Sequence, residues 1–127
     1  MIVRDLTTIL LEVIMNRFEL FSLIYFWLSR FYKNTTDDRV INQISEMNPF
    51  LWDDIGSADP AVYDDYCAFI GDRKITVENS LDIAKGYAQT IDYADITEAF
   101  LDVDREQWEK GCREYLSADH KGAYDSK

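Results

Sequence analysis

Apolar residues recur at helical spacing through the first quarter of the chain. Ile14, Phe18, Phe21, Tyr25, Leu28 and Tyr32 follow alternating steps of four and three, and Leu20, Ile24, Trp27 and Phe31 form a second stripe beside them. A helix apolar over so much of its circumference is predicted to sit at the centre of the fold. Leu6, Leu10 and Val13 continue the spacing upstream behind Asp5, a candidate N-cap, so either one long helix or two cover residues 5–33. The alternative for residues 18–27 is a strand, because β-prone side chains are dense there.

"KNTTDD" at 33–38 breaks this pattern, and Val40, Ile44 and Met47 predict a short helix that ends before Pro49, since the residue preceding proline disfavours helical geometry. "GSADP" at 56–60 starts the next helix. Asp59 is placed to cap free amides, and Pro60 takes the first helical position, where its missing N–H costs nothing. Val62, Tyr66, Phe69 and Ile70 then face inward and Asp64 and Asp65 outward. After "GDRK", Thr76 caps a helix whose apolar positions Val77, Leu81, Ala84, Ala88 and Ile91 make the cleanest amphipathic pattern in the chain.

Asp95 with Glu98 has capping-box spacing and predicts a helix carrying Ile96, Ala99, Phe100 and Val103 on one side. Asp104 opens the last helix, with Trp108, Cys112, Tyr115 and Leu116 inward and the pairs Glu106/Lys110 and Glu109/Arg113 at supporting i,i+4 spacing. Residues 118–127 read as a frayed polar tail. The expected fold is a single all-α domain over residues 1–127, a bundle of five or six helices around the aromatic-rich N-terminal one.

At 127 residues and 47% hydrophobic content, the chain has enough apolar material for such a core without metals or disulfides, so its acidity belongs to a folded surface and not to a disordered tail. The uncharged run "LFSLIYFWLS" at 20–29 is only ten residues long, well short of the ~20 that a membrane span requires. No basic leader with a small-residue cleavage site precedes it. Cys67 and Cys112 fall at inward helical positions, as buried thiols in a reducing compartment would. A cytoplasmic location is expected, with no membrane contact.

The net charge of −11 is unevenly placed. Residues 1–52 hold six acids and five bases, residues 53–104 thirteen acids and three bases, and residues 105–127 five of each, so almost the whole excess lies in the middle. Concentrated negative charge is self-repulsive, but it speeds encounter with a cationic partner over a Debye length of ~8–10 Å. The same field repels nucleic acid, anionic membrane and phosphorylated ligands. Asp59, Asp95 and Asp104 are accounted for as caps.

Asp53, Asp54, Asp64 and Asp65 remain, flanking Trp52 and Tyr63, and aromatics among charges are the residue types that anchor protein interfaces. The plain alternative for Trp52 is a core residue packed beneath a loop. Trp52, Asp53, Asp54, Tyr63, Asp64 and Asp65, extended by Glu78 and Asp82, form the candidate partner-binding set, with the midsection's acids expected in one outward patch.

Residue types for chemistry are sparse. The single histidine, His120, lies in the polar tail away from either cysteine, and one histidine with two cysteines 45 positions apart lacks zinc-ligand spacing. "DVDREQWEKGCRE" from Asp102 places oxygens like a calcium loop but has Gln107 where the turn needs glycine, and reads better as a capped helix. Adjacent aspartates on a helix diverge by roughly 100° and make a poor acid–base pair. No catalytic residue, metal or cofactor is assigned.

"WDDIGSADPAVYDDYCAFI" from Trp52, "VENSLDIAKGYAQTI" from Val77 and "AFLDVDREQWEKGCREYL" from Ala99 together resemble small bacterial immunity proteins of contact-dependent growth inhibition and related polymorphic-toxin systems, over residues 50–116. The resemblance implies a cytosolic protein that performs no chemistry itself. It would bind the toxin domain delivered by a neighbouring cell and block it, often over a basic nuclease site. The rival expectation is an acidic DNA mimic that inhibits a nucleic-acid-binding protein.

Overall fold

In the computed structural model, residues 13–118 are described. Two residues of strand, β1 (Ile14–Met15), lead into α1 (Arg17–Phe31), followed by α2 (Asp38–Met47) and α3 (Pro60–Ile70). A second short strand, β2 (Ile75–Thr76), runs directly into α4 (Val77–Thr90), and a 3-10 turn (Thr97–Phe100) precedes α5 (Arg105–Ser117). The described residues are all-α in character, with five α-helices and one two-stranded ladder.

The ladder is antiparallel, pairing Ile14 with Thr76 and Met15 with Ile75, and Val77 N–H donates to Val13 O at 3.0 Å. Each strand ends at a capped helix start. Asn16 and Glu19 form a reciprocal box on α1, and Thr76 and Asn79 form one on α4, so four otherwise orphaned amides are satisfied side by side. This corrects the expectation that Ile14 belongs to the face of the central helix. Ile14 is in the ladder, and its side chain is exposed. Asp5, Leu6 and Leu10 lie outside the described residues, as does the tail beyond Ala118.

Residues 18–27 are helical, not a strand. Phe18, Leu20, Phe21, Ile24 and Leu28 are wholly buried, whereas Phe31 at the helix end is exposed. Around Phe21 the rings of α3 and α4 close in, Tyr66 at 4.8 Å and Tyr63 at 5.1 Å between centroids, with Tyr87 packed on Tyr66 at 5.1 Å. Edge and tilted contacts of this kind add about 0.5–1.5 kcal/mol each beyond the burial of the rings. Tyr66 hydroxyl donates to Arg17 O at 2.6 Å, fixing α3 against the start of α1.

At the other end of α1, Trp27 donates its indole N–H to Ala99 O at 2.7 Å and meets Trp108 edge-on at 5.6 Å. Asp37, Asp59, Thr76 and Asp104 cap α2, α3, α4 and α5, and Pro60 occupies the first turn of α3 as its sequence predicts. The helix expected from the Asp95–Glu98 spacing is a four-residue 3-10 turn instead. Asp95 Oδ1 accepts from both the amide and the hydroxyl of Thr97, so it closes a local turn and does not cap a helix. Cys112 is buried and Cys67 half-buried, and both are free thiols. Among the described residues no helix is long and apolar enough to cross a membrane.

Candidate functional site

The segment between α2 and α3 carries the largest group of exposed apolar side chains. Asn48 ends α2 and accepts the Phe50 amide at 2.9 Å, turning the chain outward. Phe50 then stacks on Phe26 of α1, centroids 5.4 Å apart and planes 28° apart, which leaves both rings half-covered and half-presented. Leu51 and Trp52 follow, 57% and 54% exposed. Trp52 is therefore not packed beneath the loop: it lies on the surface, with its indole N–H donating to Ala58 O at 3.2 Å.

The loop is held firmly at its far end. Buried Ser57 donates to Asp59 O and accepts the Tyr63 amide at 3.0 Å, and Asp59 N–H donates back to Glu46 O at 3.0 Å. These bonds shape a cleft of about 530 Å³ walled by Trp52, Ile55 and Pro60, with the exposed carboxylates of Asp53 and Asp54 on its border. Asp64 follows Pro60 by one helical turn on the exposed face of α3, and Asp65 stands beside it. The charge of Asp65 reaches inward as well: burial, and secondarily this carboxylate, push the Tyr87 phenol far up.

Three features of the candidate set are corrected. Tyr63 is not an anchor for a partner, because it is only 8% exposed and its ring is packed between Phe18, Phe21 and Tyr66. Asp82 does not extend a free acidic face. Arg105, the first residue of α5, places Nη2 2.9 Å from Asp82 Oδ1 and donates Nη1 to the Glu78 backbone carbonyl, so a base from the charge-neutral C-terminal segment offsets Asp82, while the exposed Glu78 carboxylate pairs with no cation among the described residues.

The acids of the middle segment also do not form one patch. Asp95 and Glu98 lie instead by Tyr32 at the end of α1, where Asp37 joins them. Burial raises the Tyr32 phenol first, and these three carboxylates raise it further. Asp95 itself is held below the ordinary carboxylate range by its hydrogen bonds from Thr97.

The fold thus leaves Trp52, Asp53 and Asp54 exposed on the loop, and Asp64 and Asp65 exposed on α3, which follows it. Phe26, Phe50 and Leu51 complete the surface and escape pattern reading. For Phe50 and Leu51 the signal is "PFLW", four consecutive apolar or ring residues immediately beyond a helix end, where no helical face exists to bury them. An apolar centre bordered by carboxylates is the layout of a protein-binding surface. His120 lies outside the described residues, and among the described residues no three His, Cys, Asp or Glu side chains are grouped to hold a metal. No protein-family model, no curated protein and no solved structure matches the chain, so a functional reading rests on this surface.

Proposed function

We propose that this chain is an immunity protein that binds a cognate toxin domain and neutralises it by covering a basic working face, in the cytosol of the cell that makes it. The observation that carries the reading is the run from Phe50 to Asp54. Three large apolar side chains stand exposed on a loop braced by Ser57 and Asp59, and two carboxylates follow them directly. The apolar residues supply the desolvated centre of an interface, and Asp53, Asp54, Asp64 and Asp65 supply the field that draws in a cationic partner and occupies the positions where nucleic-acid phosphates would sit. A braced loop loses little conformational freedom on binding, which leaves more of the contact energy as affinity.

Co-expression with the toxin encoded beside its gene tests the proposal. Cells carrying the intact protein should survive induction, and cells carrying Trp52→Ala with Asp53→Lys should not. Death irrespective of the protein ends the reading.

A further inference from the structure

A groove of about 590 Å³ lies between α1 and α5, lined by Phe26, Trp27 and Trp108 and by the cations Arg30 and Lys110. Arg17, Arg73, Arg105 and Arg113 each bond a carbonyl or a carboxylate, and Arg39 lies over the Tyr93 ring. Among the described residues the side chains of Arg30 and Lys110, like those of Lys33 and Lys85, make no hydrogen bond or ion pair, in a chain with 24 carboxylate side chains for 13 lysines and arginines. An aromatic floor with two unengaged cations asks for an apolar group followed by negative charge.

The protein carries that chemistry itself, in Phe50, Leu51 and Trp52 followed by Asp53 and Asp54. Within one molecule the loop does not line the groove: Trp52 is tied to Ala58 and Phe50 stacks on Phe26. Loop and groove are nevertheless adjacent, since Phe26 belongs to both. A surface whose two neighbouring halves complement each other is what a two-fold pairing requires: each half meets the other half of the second copy, and the contact is made twice. Exposed apolar patches of this kind are rarely left open on monomers.

We propose that two copies of this chain pair about a two-fold axis, the Phe50–Asp54 loop of each seated in the α1/α5 groove of the other. Arg30 and Lys110 of one copy then face Asp53 and Asp54 of its partner. Glu114, one turn beyond Lys110, bounds the groove and discourages a deeper register for the incoming acids. The net charge of −11 opposes association at long range, so the pairing depends on these local contacts and not on bulk attraction. The inference is independent of the toxin-binding proposal. Because both use the same loop, pairing and toxin binding compete.

The test is the mass of the purified full-length chain by light scattering and sedimentation across the micromolar range, with no toxin present. The wild type should reach twice the 14.9 kDa of a single chain. A groove variant (Arg30→Glu with Lys110→Glu) and a loop variant (Asp53→Lys with Asp54→Lys) should each dissociate at least about tenfold more readily, through like-charge juxtaposition. Unchanged far-ultraviolet circular dichroism shows that they remain folded.

Mixed together, the two variants should form a heterodimer visible by native mass spectrometry. In that pair the reversed groove meets the reversed loop and the wild-type groove meets the wild-type loop, so both contacts are restored. A wild type that stays at the single-chain mass throughout, variants that pair as well as it does, or a mixture that yields no heterodimer would each overturn the inference. Survival in the co-expression experiment is read separately.

Discussion

Trp108 donates its indole N–H to Ser80 Oγ at 2.8 Å in the buried seam between α4 and α5. Ser80 in turn donates to Val77 O at 2.8 Å and lies 3.6 Å from Cys112 Sγ. One hydroxyl therefore satisfies a buried donor on the neighbouring helix while bonded to its own. Ser80→Ala leaves the Trp108 N–H buried without an acceptor, and this should destabilise the protein by about 1–3 kcal/mol, read as a lower denaturant midpoint. A loss of less than a few tenths of a kcal/mol would mean that Trp108 finds another acceptor.

Gly71 and Gly111 should respond to alanine in opposite directions. Gly71 ends α3 with φ 59° and ψ −132°, a conformation that residues with a Cβ rarely adopt, while its carbonyl accepts Arg17 Nη2 at 2.9 Å. Gly71→Ala should cost about 1–3 kcal/mol through backbone strain, although nothing crowds the added methyl. Gly111 lies within α5 at ordinary helical geometry, also with open space around it, so Gly111→Ala should stabilise by up to about 1 kcal/mol. Thermal melts of the two variants check both signs.

Most of the helix starts were legible because their caps are local chemistry. Asp59 with Pro60, Thr76 and Asp104 each declare a helix within a few residues of sequence. The start of α1 was obscured because apolar spacing runs on through Val13 and Ile14. Ile14 and Met15 instead pair in a ladder with Thr76 and Ile75, across some sixty positions, which no local pattern reveals. The Asn16–Glu19 box stands inside that run, where the apolar spacing masks it.

Tyr63 and Trp52 show the same limit at the candidate site. Both are aromatic residues beside aspartates, yet one is buried and one exposed. The difference lies in helix position: Tyr63 is three residues before Tyr66 and shares its inward face, whereas Trp52 precedes the helix altogether. The offset of Asp82 by Arg105 was invisible for another reason, since it depends on how α5 docks on α4.

Alkaline pH should unfold the protein through its tyrosines. Burial raises the phenols of Tyr66 and Tyr87 well above the ordinary value of 10.0, and raises Tyr115 to a lesser degree. The folded state thus holds these protons more tightly than the unfolded chain does. Their contribution to stability is complete below pH 10.0 and is lost as pH rises above it, because only the unfolded phenols ionise there. Denaturant midpoints should be flat near neutrality and fall above that pH, with tyrosinate absorbance appearing together with unfolding. Tyr87→Phe should flatten the fall without loss at neutral pH, since the Tyr87 hydroxyl is buried with no hydrogen bond to lose.

Toxin binding should separate into a rate governed by charge and a lifetime governed by the apolar residues. Asp64 and Asp65 are exposed on α3 and belong to no ion pair among the described residues, so their fields extend into solvent. Asn at both positions should slow association at low salt by about tenfold, with the difference from wild type shrinking as salt is added. Trp52→Ala should leave association nearly unchanged and shorten the complex's lifetime by a factor of roughly 30, the equivalent of about 2 kcal/mol for a central aromatic anchor. Stopped-flow mixing with the isolated toxin domain reads both quantities. A Trp52→Ala complex as long-lived as the wild type, or association rates indifferent to Asp64 and Asp65, would place the contact on another face of the bundle.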